Sequence, residues 1–275
     1  MDKWLAKLGK ERRVLDLGSG AGSFDYSRYQ CSIVAADTDF NSLSRVPKIR
    51  TSIHAVDAES HRLPFRNGAF SLILCNNSME HFPEPRVALA EIGRVLESDG
   101  MLIITVPNGY GFDDNLYRYL LEGGGHVNRF RFDEIVGSVE ELTGARLVNW
   151  RELYSSYVYL RKPLPEVLPH LRDRFRKLAR YPAWVFHTVQ FSLNVVMRFV
   201  SRIVGPEYAT YGWAFFFRRG QEPLTRTPGR VNVCMRCGAG SRAAELKPFR
   251  LARFFYRCPS CKELNPYFKP RGMTE

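Results

Sequence analysis

Several things are scarce in this 275-residue chain, and each scarcity excludes something. No stretch of 18 residues is purely apolar, which argues against a membrane-spanning helix. The opening MDKWLAKLGKERRVLDLG has no apolar core of the kind a secretory leader needs, so the expected location is cytoplasmic. Cysteine is nearly missing from the first 230 residues, where only Cys31 and Cys75 occur. The other four stand as two C-x-x-C pairs, Cys234/Cys237 and Cys258/Cys261, and without a leader they read as metal ligands rather than disulfides. Acidic residues run out toward the end: residues 161–275 carry 22 Lys and Arg against 7 Asp and Glu, whereas residues 1–160 carry 18 against 21. The whole formal charge of +12 therefore comes from the last 115 residues, which suggests contact with something acidic: a phosphate-bearing substrate, an anionic membrane surface or nucleic acid. At 45% hydrophobic and 25% charged residues, wholesale disorder is excluded.

What is present is an alternation of short apolar runs with helical or loop segments. Strands are predicted at Arg13–Leu17, Ser32–Ala36, Ile53–Val56, Phe70–Cys75 and Met101–Val106. Val87–Leu96 reads as an amphipathic helix with Leu89, Ile92, Val95 and Leu96 on one face, stopped by Ser98-Asp99-Gly100. A Gly-rich loop (Glu122–Gly125), a helix near Asp133–Thr143, a strand near Arg146–Glu152 and a last strand at Tyr208–Phe217 follow. Such alternation predicts a parallel sheet covered on both faces.

The segment VLDLGSGAGSF sets Asp16, Gly18, Gly20 and Gly22 directly after the first strand. Glycines allow a tight turn and close approach of the backbone to a ligand, and a helix is expected next with its N–H groups toward that ligand. Asp37 ends the second strand, where a carboxylate can grip both hydroxyls of a ribose.

Together these residues resemble the D/E-x-G-x-G-x-G motif of class I S-adenosylmethionine-dependent methyltransferases. DAESHRLPFRNGAFSLILCNNSMEHFPEP and ALAEIGRVLESDGMLIITVPN are similar to the type 11 branch, with Ser98-Asp99-Gly100 replacing its usual Pro-Gly-Gly turn. The resemblance covers roughly residues 10–160, with Tyr208–Phe217 as the last core strand. It implies a Rossmann-like, doubly wound α/β fold with a mostly parallel seven-stranded sheet. It also implies S-adenosylmethionine as cofactor, with Gly18, Ser19, Gly20 and Gly22 around the methionine part and Asp16 fixing the loop and the amino group. Asp37 would bind the ribose, Thr38 would lie beside the adenine, Asp57 and Ala58 would meet the adenine edge, and Asn76 and Asn77 would line the methionine side.

Methyl transfer needs a base only where the acceptor must lose a proton. His81, just beyond the fourth strand, and His126, after three glycines, are the candidate catalytic residues, each standing against an ordinary structural role. Glu80 is the other ionisable group beside His81, and Tyr110 follows the fifth strand, where the resemblance implies the acceptor lies. The expected activity is methylation of a small-molecule or lipid-like acceptor, with oxygen as the favoured atom. An RNA methyltransferase and a non-catalytic cofactor-binding or interaction protein are the alternatives.

The division expected is a core over 1–160, a basic helical insert over 161–206, a last core strand over 207–220, a linker over 221–233 and a zinc ribbon over 234–275. In the insert, Arg172, Arg174, Arg176, Lys177 and Arg180 form a basic stripe. A helix from Ala183 carries Phe186, Val189, Leu193, Val196, Val200 and Ile203 on one face and His187, Gln190, Asn194, Arg198 and Ser201 on the other. It can pack on the sheet or form a lid, lie in a membrane interface as a peripheral contact on the inner face, or dimerise. The spacing of Cys234, Cys237, Cys258 and Cys261 suits a four-thiolate structural zinc site. Lys247, Arg250, Arg253 and Arg257 alternate there with Phe249, Phe254, Phe255 and Tyr256, which reads as an RNA-binding surface, as the ribbon's own core or as aromatics docked on the main domain.

Overall fold

The computed structural model describes residues 5, 8–46, 53–121, 125–161, 171–221, 229–242, 245–249 and 254–267. Its principal elements are β1 (Arg13–Leu17), β2 (Ser32–Asp37), β3 (Ile53–Asp57), β4 (Phe70–Asn76), α1 (Pro85–Val95), β5 (Leu96–Pro107), α2 (Phe112–Leu120), α3 (Phe132–Thr143), β6 (Arg146–Tyr154), α4 (Ala183–Ile203), β7 (Thr210–Arg218), β8 (Gly229–Val233), β9 (Gly240–Arg242), β10 (Phe255–Arg257) and β11 (Leu264–Pro266). The chain divides into two compact units. The first comprises Met1–Val106, Val127–Trp150 and Ala214–Arg226, and the second comprises Pro107–His126, Arg151–Trp213 and Thr227–Glu275.

In the first unit the strand order is β3-β2-β1-β4-β5-β7-β6. The pairs β2–β3, β1–β2, β1–β4 and β4–β5 are all parallel. This is the Rossmann-like, mostly parallel sheet expected from the alternation of elements. Its strands are apolar on both sides because both sides are covered. Val14, Ile33, Ala35, Leu72, Leu74 and Ile103 pack on one face with Tyr26, Tyr29 and Leu43. The alternate residues Leu15, Ile73, Cys75, Leu102 and Ile104 are equally buried, as are Leu89, Ile92 and Val95 of α1 and Ile135 and Val139 of α3. Helices α1 and α3 come close at Gly93, where a Cβ would stand 2.7 Å from the Leu142 carbonyl oxygen.

One expected turn is differently made. Ser98-Asp99-Gly100 does not separate helix from strand: α1 ends at Val95 and β5 begins at Leu96. The three residues form a bulge instead, since the register moves from Phe70↔Leu96 to Leu72↔Met101. The cause is Arg219, just after β7. Its Nη1 donates to Leu96 O at 2.7 Å, its Nη2 to Gly93 O and Thr143 O at 2.6 Å each, and its backbone N–H to Gly100 O at 3.1 Å. One guanidinium thus satisfies carbonyls left open at the ends of α1 and α3, which caps both helices from outside.

In the second unit, Arg151–Leu153 of β6 pair in parallel with Gly229–Val231 of β8, and β8 pairs antiparallel with β9. The strand β8 lies inside the segment read as a linker, of which 222–228 fall outside the described residues. Helix α4 spans 21 residues, as expected from Ala183 onward. Its orientation is the reverse of an ordinary amphipathic helix: Gln190, Asn194 and Arg198 are buried, while Val189, Val196 and Ile203 are exposed. Among the described residues no helix is long and apolar enough to cross a membrane.

Arg219→Ala leaves several carbonyls at the ends of α1 and α3 without their donor. It is expected to lower stability by about 2–4 kcal/mol. Urea denaturation followed by circular dichroism measures the loss.

Candidate functional site

The first unit gathers a polar cradle at the carboxyl ends of β1, β2 and β4, where parallel α/β sheets bind their ligands. It is built on Asp16, a fully buried carboxylate. Asp16 accepts from the Ser23 backbone N–H at 3.0 Å, Ser23 Oγ at 2.7 Å and the Tyr26 hydroxyl at 2.6 Å. Burial raises its pKa, opposed by those hydrogen bonds. Between strand and anchor the loop passes through Gly18, Gly20 and Gly22 at φ 69°, 52° and 113°. At Gly18 the conformation and the space both demand glycine, because a Cβ would stand 2.4 Å from the Cβ of Ser78. Ser78 in turn donates to Leu17 O at 2.9 Å, tying the end of β4 to the end of β1.

Asp37 closes the cradle from β2. Its Oδ2 accepts from Gly20 N–H at 2.7 Å and its Oδ1 from Asp39 N–H at 2.9 Å. A Cβ added at Gly20 would meet nothing within 4 Å, so the loop has open space beside the carboxylate. Asp57 sits opposite Asp37 in the β2–β3 register, and the Ala58 N–H donates to Asp37 O at 3.1 Å. Thr38 and Asp57 are exposed, and Asn76 is half-buried with its Oδ1 accepting from Thr105 Oγ1 at 2.6 Å. Asn77 is exposed in a left-handed conformation at φ 51°.

The helix expected after the glycines is absent. A single 3-10 turn, Tyr26–Arg28, stands there, with Asp25 accepting from Ser27 N–H at 3.1 Å. Only nine residues separate Gly22 from β2, too few for a helix and the return of the chain to the start of a parallel strand. The N–H groups of Gly18, Ser19, Gly20, Gly22 and Ser23 are all taken by acceptors of the protein itself, so a self-bonded loop rather than a helix terminus borders the cradle.

Glu80 is buried and His81 exposed on the 3-10 turn Met79–His81. Asn128 holds this turn by donating from Nδ2 to Met79 O at 3.1 Å and Phe82 O at 2.6 Å.

His126 belongs to the second unit, and its surroundings there are specific. Its Nδ1 is 2.6 Å from Asp114 Oδ1, and its ring stacks on Tyr117 with centroids 4.5 Å apart. Arg118 Nε donates to the other Asp114 oxygen at 2.6 Å, and Arg118 Nη1 donates to the His126 carbonyl. Burial alone would raise the Asp114 pKa, but hydrogen bonds from His126 and Arg118 outweigh it and hold the group below its ordinary value. An ionised aspartate on Nδ1 fixes the tautomer with the proton there and leaves Nε2 as the basic nitrogen. Sequence reading found His126 but not Asp114 or Arg118, since no spacing rule joins an i and an i+12 residue. Tyr110 is exposed. Of the Gly-rich loop, 122–124 lie outside the described residues.

In the same unit the four C-terminal cysteines converge: Cys234 Sγ is 3.6 Å from Cys261 Sγ, Cys237 Sγ is 3.7 Å from Cys258 Sγ, and all four sulfurs lie within 4.8 Å of one another. The two C-x-x-C turns are alike. Gly238 N–H donates to Cys234 O and Lys262 N–H to Cys258 O, both at 3.0 Å, and both residues are left-handed, at φ 69° and 63°. Asn265 Nδ2 and the Arg236 N–H point at Cys234 Sγ. Of the interleaved aromatics, Tyr256 is core with Leu246 and Tyr267, and Phe255 stacks on Phe191 of α4. Phe249 and Phe254 are exposed, and Arg250 and Arg253 lie outside the described residues.

A parallel sheet of this order, with a glycine turn after β1 and a carboxylate ending β2, defines the class of nucleotide-type cofactor-binding α/β proteins. Residues 1–142 match the family described as Methyltransferase domain, and the chain belongs to that family. The uncharacterised methyltransferase YcgJ of Bacillus subtilis is 27% identical over 158 residues, covering 55% of this chain and 58% of that protein. Malonyl-[acyl-carrier protein] O-methyltransferase of Legionella pneumophila is 32% identical over 103 residues, covering 34% and 36%. The solved phosphoethanolamine N-methyltransferase 2 of Haemonchus contortus, in complex with phosphomonomethylethanolamine and S-adenosylhomocysteine, aligns at a TM-score of 0.54 and 15% identity, covering 80% of this chain and 51% of that one. The match spans between about a third and three fifths of the length of these curated relatives.

Asp113, beside Asp114, is buried, and burial pushes its carboxyl up to about 6 from 3.8. With the folded pKa raised, its contribution to stability is complete below pH 4 and is lost as pH rises through about 6. Asp113→Asn, which keeps a neutral group there, is expected to match the wild type near pH 4 and exceed it by about 2 kcal/mol at pH 8. Urea denaturation at several pH values checks the sign.

Proposed function

We propose that this chain transfers a methyl group from S-adenosylmethionine to an oxygen of a small-molecule or lipid-like acceptor. The observation that carries the reading is the cradle, a glycine loop anchored by buried Asp16 with Asp37 hydrogen-bonded across it to Gly20 N–H. Family membership supports the donor, and the O-methyltransferase among the relatives supports oxygen as the acceptor atom. The stretch from Asp57 to Pro85 favours the type 11 branch within the family.

When bound, S-adenosylmethionine supplies an electrophilic methyl with its leaving group already in place, so positioning provides much of the rate. Gly18, Ser19, Gly20 and Gly22 hold its methionine part, and Asp16 keeps the loop in shape. Asp37 accepts from the ribose hydroxyls, Thr38, Asp57 and Ala58 border the adenine, and Asn76 and Asn77 line the methionine side. Of the two histidines, His126 has the arrangement of a base, because Asp114 holds it in one tautomer. The four cysteines hold a structural zinc ion: four thiolates close a tetrahedral shell and leave no position for substrate.

Calorimetric titration with S-adenosylhomocysteine tests the donor site. Binding by the wild type, weakened about tenfold or more in Asp37→Ala, is expected; a folded chain that gives no binding heat would overturn the reading. Once an acceptor is found, His126→Ala is expected to lower kcat about 100-fold or more, with His81→Ala close to wild type. Metal analysis of the purified chain is expected to give about one zinc per chain, lost in Cys258→Ser.

A further inference from the structure

Helix α4 wears its sides the wrong way round for a helix in water. Gln190 Nε2 donates to Ser156 O at 2.8 Å and Met235 O at 2.9 Å, and Asn194 Nδ2 donates to the same Ser156 O at 3.2 Å. Arg198, fully buried, donates to Asn232 Oδ1 at 2.8 Å and lies 4.3 Å above the Tyr154 ring. These bonds fix the rotation of the helix, because turning it would strand a buried guanidinium and two amides. Much of the apolar side is left outward, with Phe186, Leu193 and Val200 half-buried. Trp184 and Ile203 are each 68% exposed, and Val189, Val196 and Phe199 more than half. At 100° per residue these five fall within an arc of about 140° on the side opposite Gln190, Asn194 and Arg198. Thr188, Ser192 and Arg202 share this arc, and five large exposed apolar side chains gathered on one face mark an interaction site.

The charge around it says what kind. Residues 172–204 hold seven Arg and Lys and a single Asp, Asp173. Arg174, Arg176, Lys177 and Arg180 are exposed just before the helix, and Arg202 is exposed in its last turn. Tyr181 and Trp184, both more than half exposed, stand at the entrance. Aromatic side chains at one end, an apolar stripe along the length and cations at both ends are the composition of a helix lying flat at the headgroup boundary. A second copy of this chain would bring like charges together, whereas acidic headgroups neutralise them.

We infer that the exposed face of α4, Trp184 to Ile203 with the basic residues 172–180, docks on the surface of an anionic bilayer. The inference rests on the second unit alone and stands or falls separately from methyl transfer. Flotation of the full, zinc-loaded chain with phosphatidylcholine vesicles, with and without phosphatidylglycerol, tests it. The chain is expected to float with the anionic vesicles only and to be released by high salt. The Val196→Glu/Phe199→Glu variant changes exposed positions only, so its circular dichroism and S-adenosylhomocysteine response should match the wild type; its partitioning is expected to fall about tenfold or more. The Arg174→Glu/Lys177→Glu variant should lose anionic selectivity. A wild type that stays in the aqueous fraction with both vesicles overturns the inference, as does flotation unchanged by Val196→Glu/Phe199→Glu. A wild-type dimer by light scattering that this variant dissociates, without flotation, assigns the face to a second copy and overturns it equally.

Discussion

Everything the first unit offers a ligand depends on one buried carboxylate. Asp16, next to last in β1, has no solvent access and is held there by three donors from Ser23 and Tyr26. A carboxylate in so dry a place is tolerable only when its oxygens are hydrogen-bonded, and the chain supplies those bonds by curling back over it. The curl is the glycine loop. Its left-handed turns put Gly18 against Ser78 and Gly20 against Asp37, so the ends of β1, β2 and β4 are brought into one cradle by the requirement to satisfy one side chain.

The second unit follows the same rule with more groups. Asp114 is kept ionised by His126 and Arg118, while its neighbour Asp113, less well supplied with donors, is pushed toward its neutral form. Two adjacent carboxylates on one helix thus differ in proton affinity because of what surrounds them rather than where they stand in sequence. Along α4, amide and guanidinium groups take the interior positions that an ordinary amphipathic helix gives to leucine.

The parts legible in the sequence were those governed by local chemistry. Asp16, the evenly spaced glycines and Asp37 announced the cradle because turn geometry demands those residue types, and strands of four to six residues alternating with helices announced the sheet. The paired cysteines announced their cluster in the same way. What stayed hidden depended on partners distant in the chain. Ser98-Asp99-Gly100 looked like a helix stop, but Arg219, 119 residues after Gly100, makes those residues a bulge. The spaced glycines suggested a following helix, and the shortness of the segment before β2 forbade it. The pairing of His126 with Asp114 had no sequence signal at all.

Helix α4 shows where periodicity stops being informative. The two faces were readable in outline, since spacing fixes which side chains stand together, although His187 of the polar face is exposed and Phe186, Leu193 and Val200 of the apolar face are half-buried. Which face turns inward was not, because spacing carries no information on the far side of the contact. Here the far side presents the carbonyls of Ser155, Ser156 and Met235, the amide of Asn232 and the ring of Tyr154. Backbone carbonyls without a donor are better met by glutamine, asparagine and arginine than by valine. The polar face therefore goes inward on hydrogen-bonding grounds, and the apolar face goes outward as a consequence, not because water favours it. A helix in that position gains from any surface that takes its valines and phenylalanine out of water while tolerating a dense row of arginines, and that pair of requirements narrows the partner more than hydrophobicity alone.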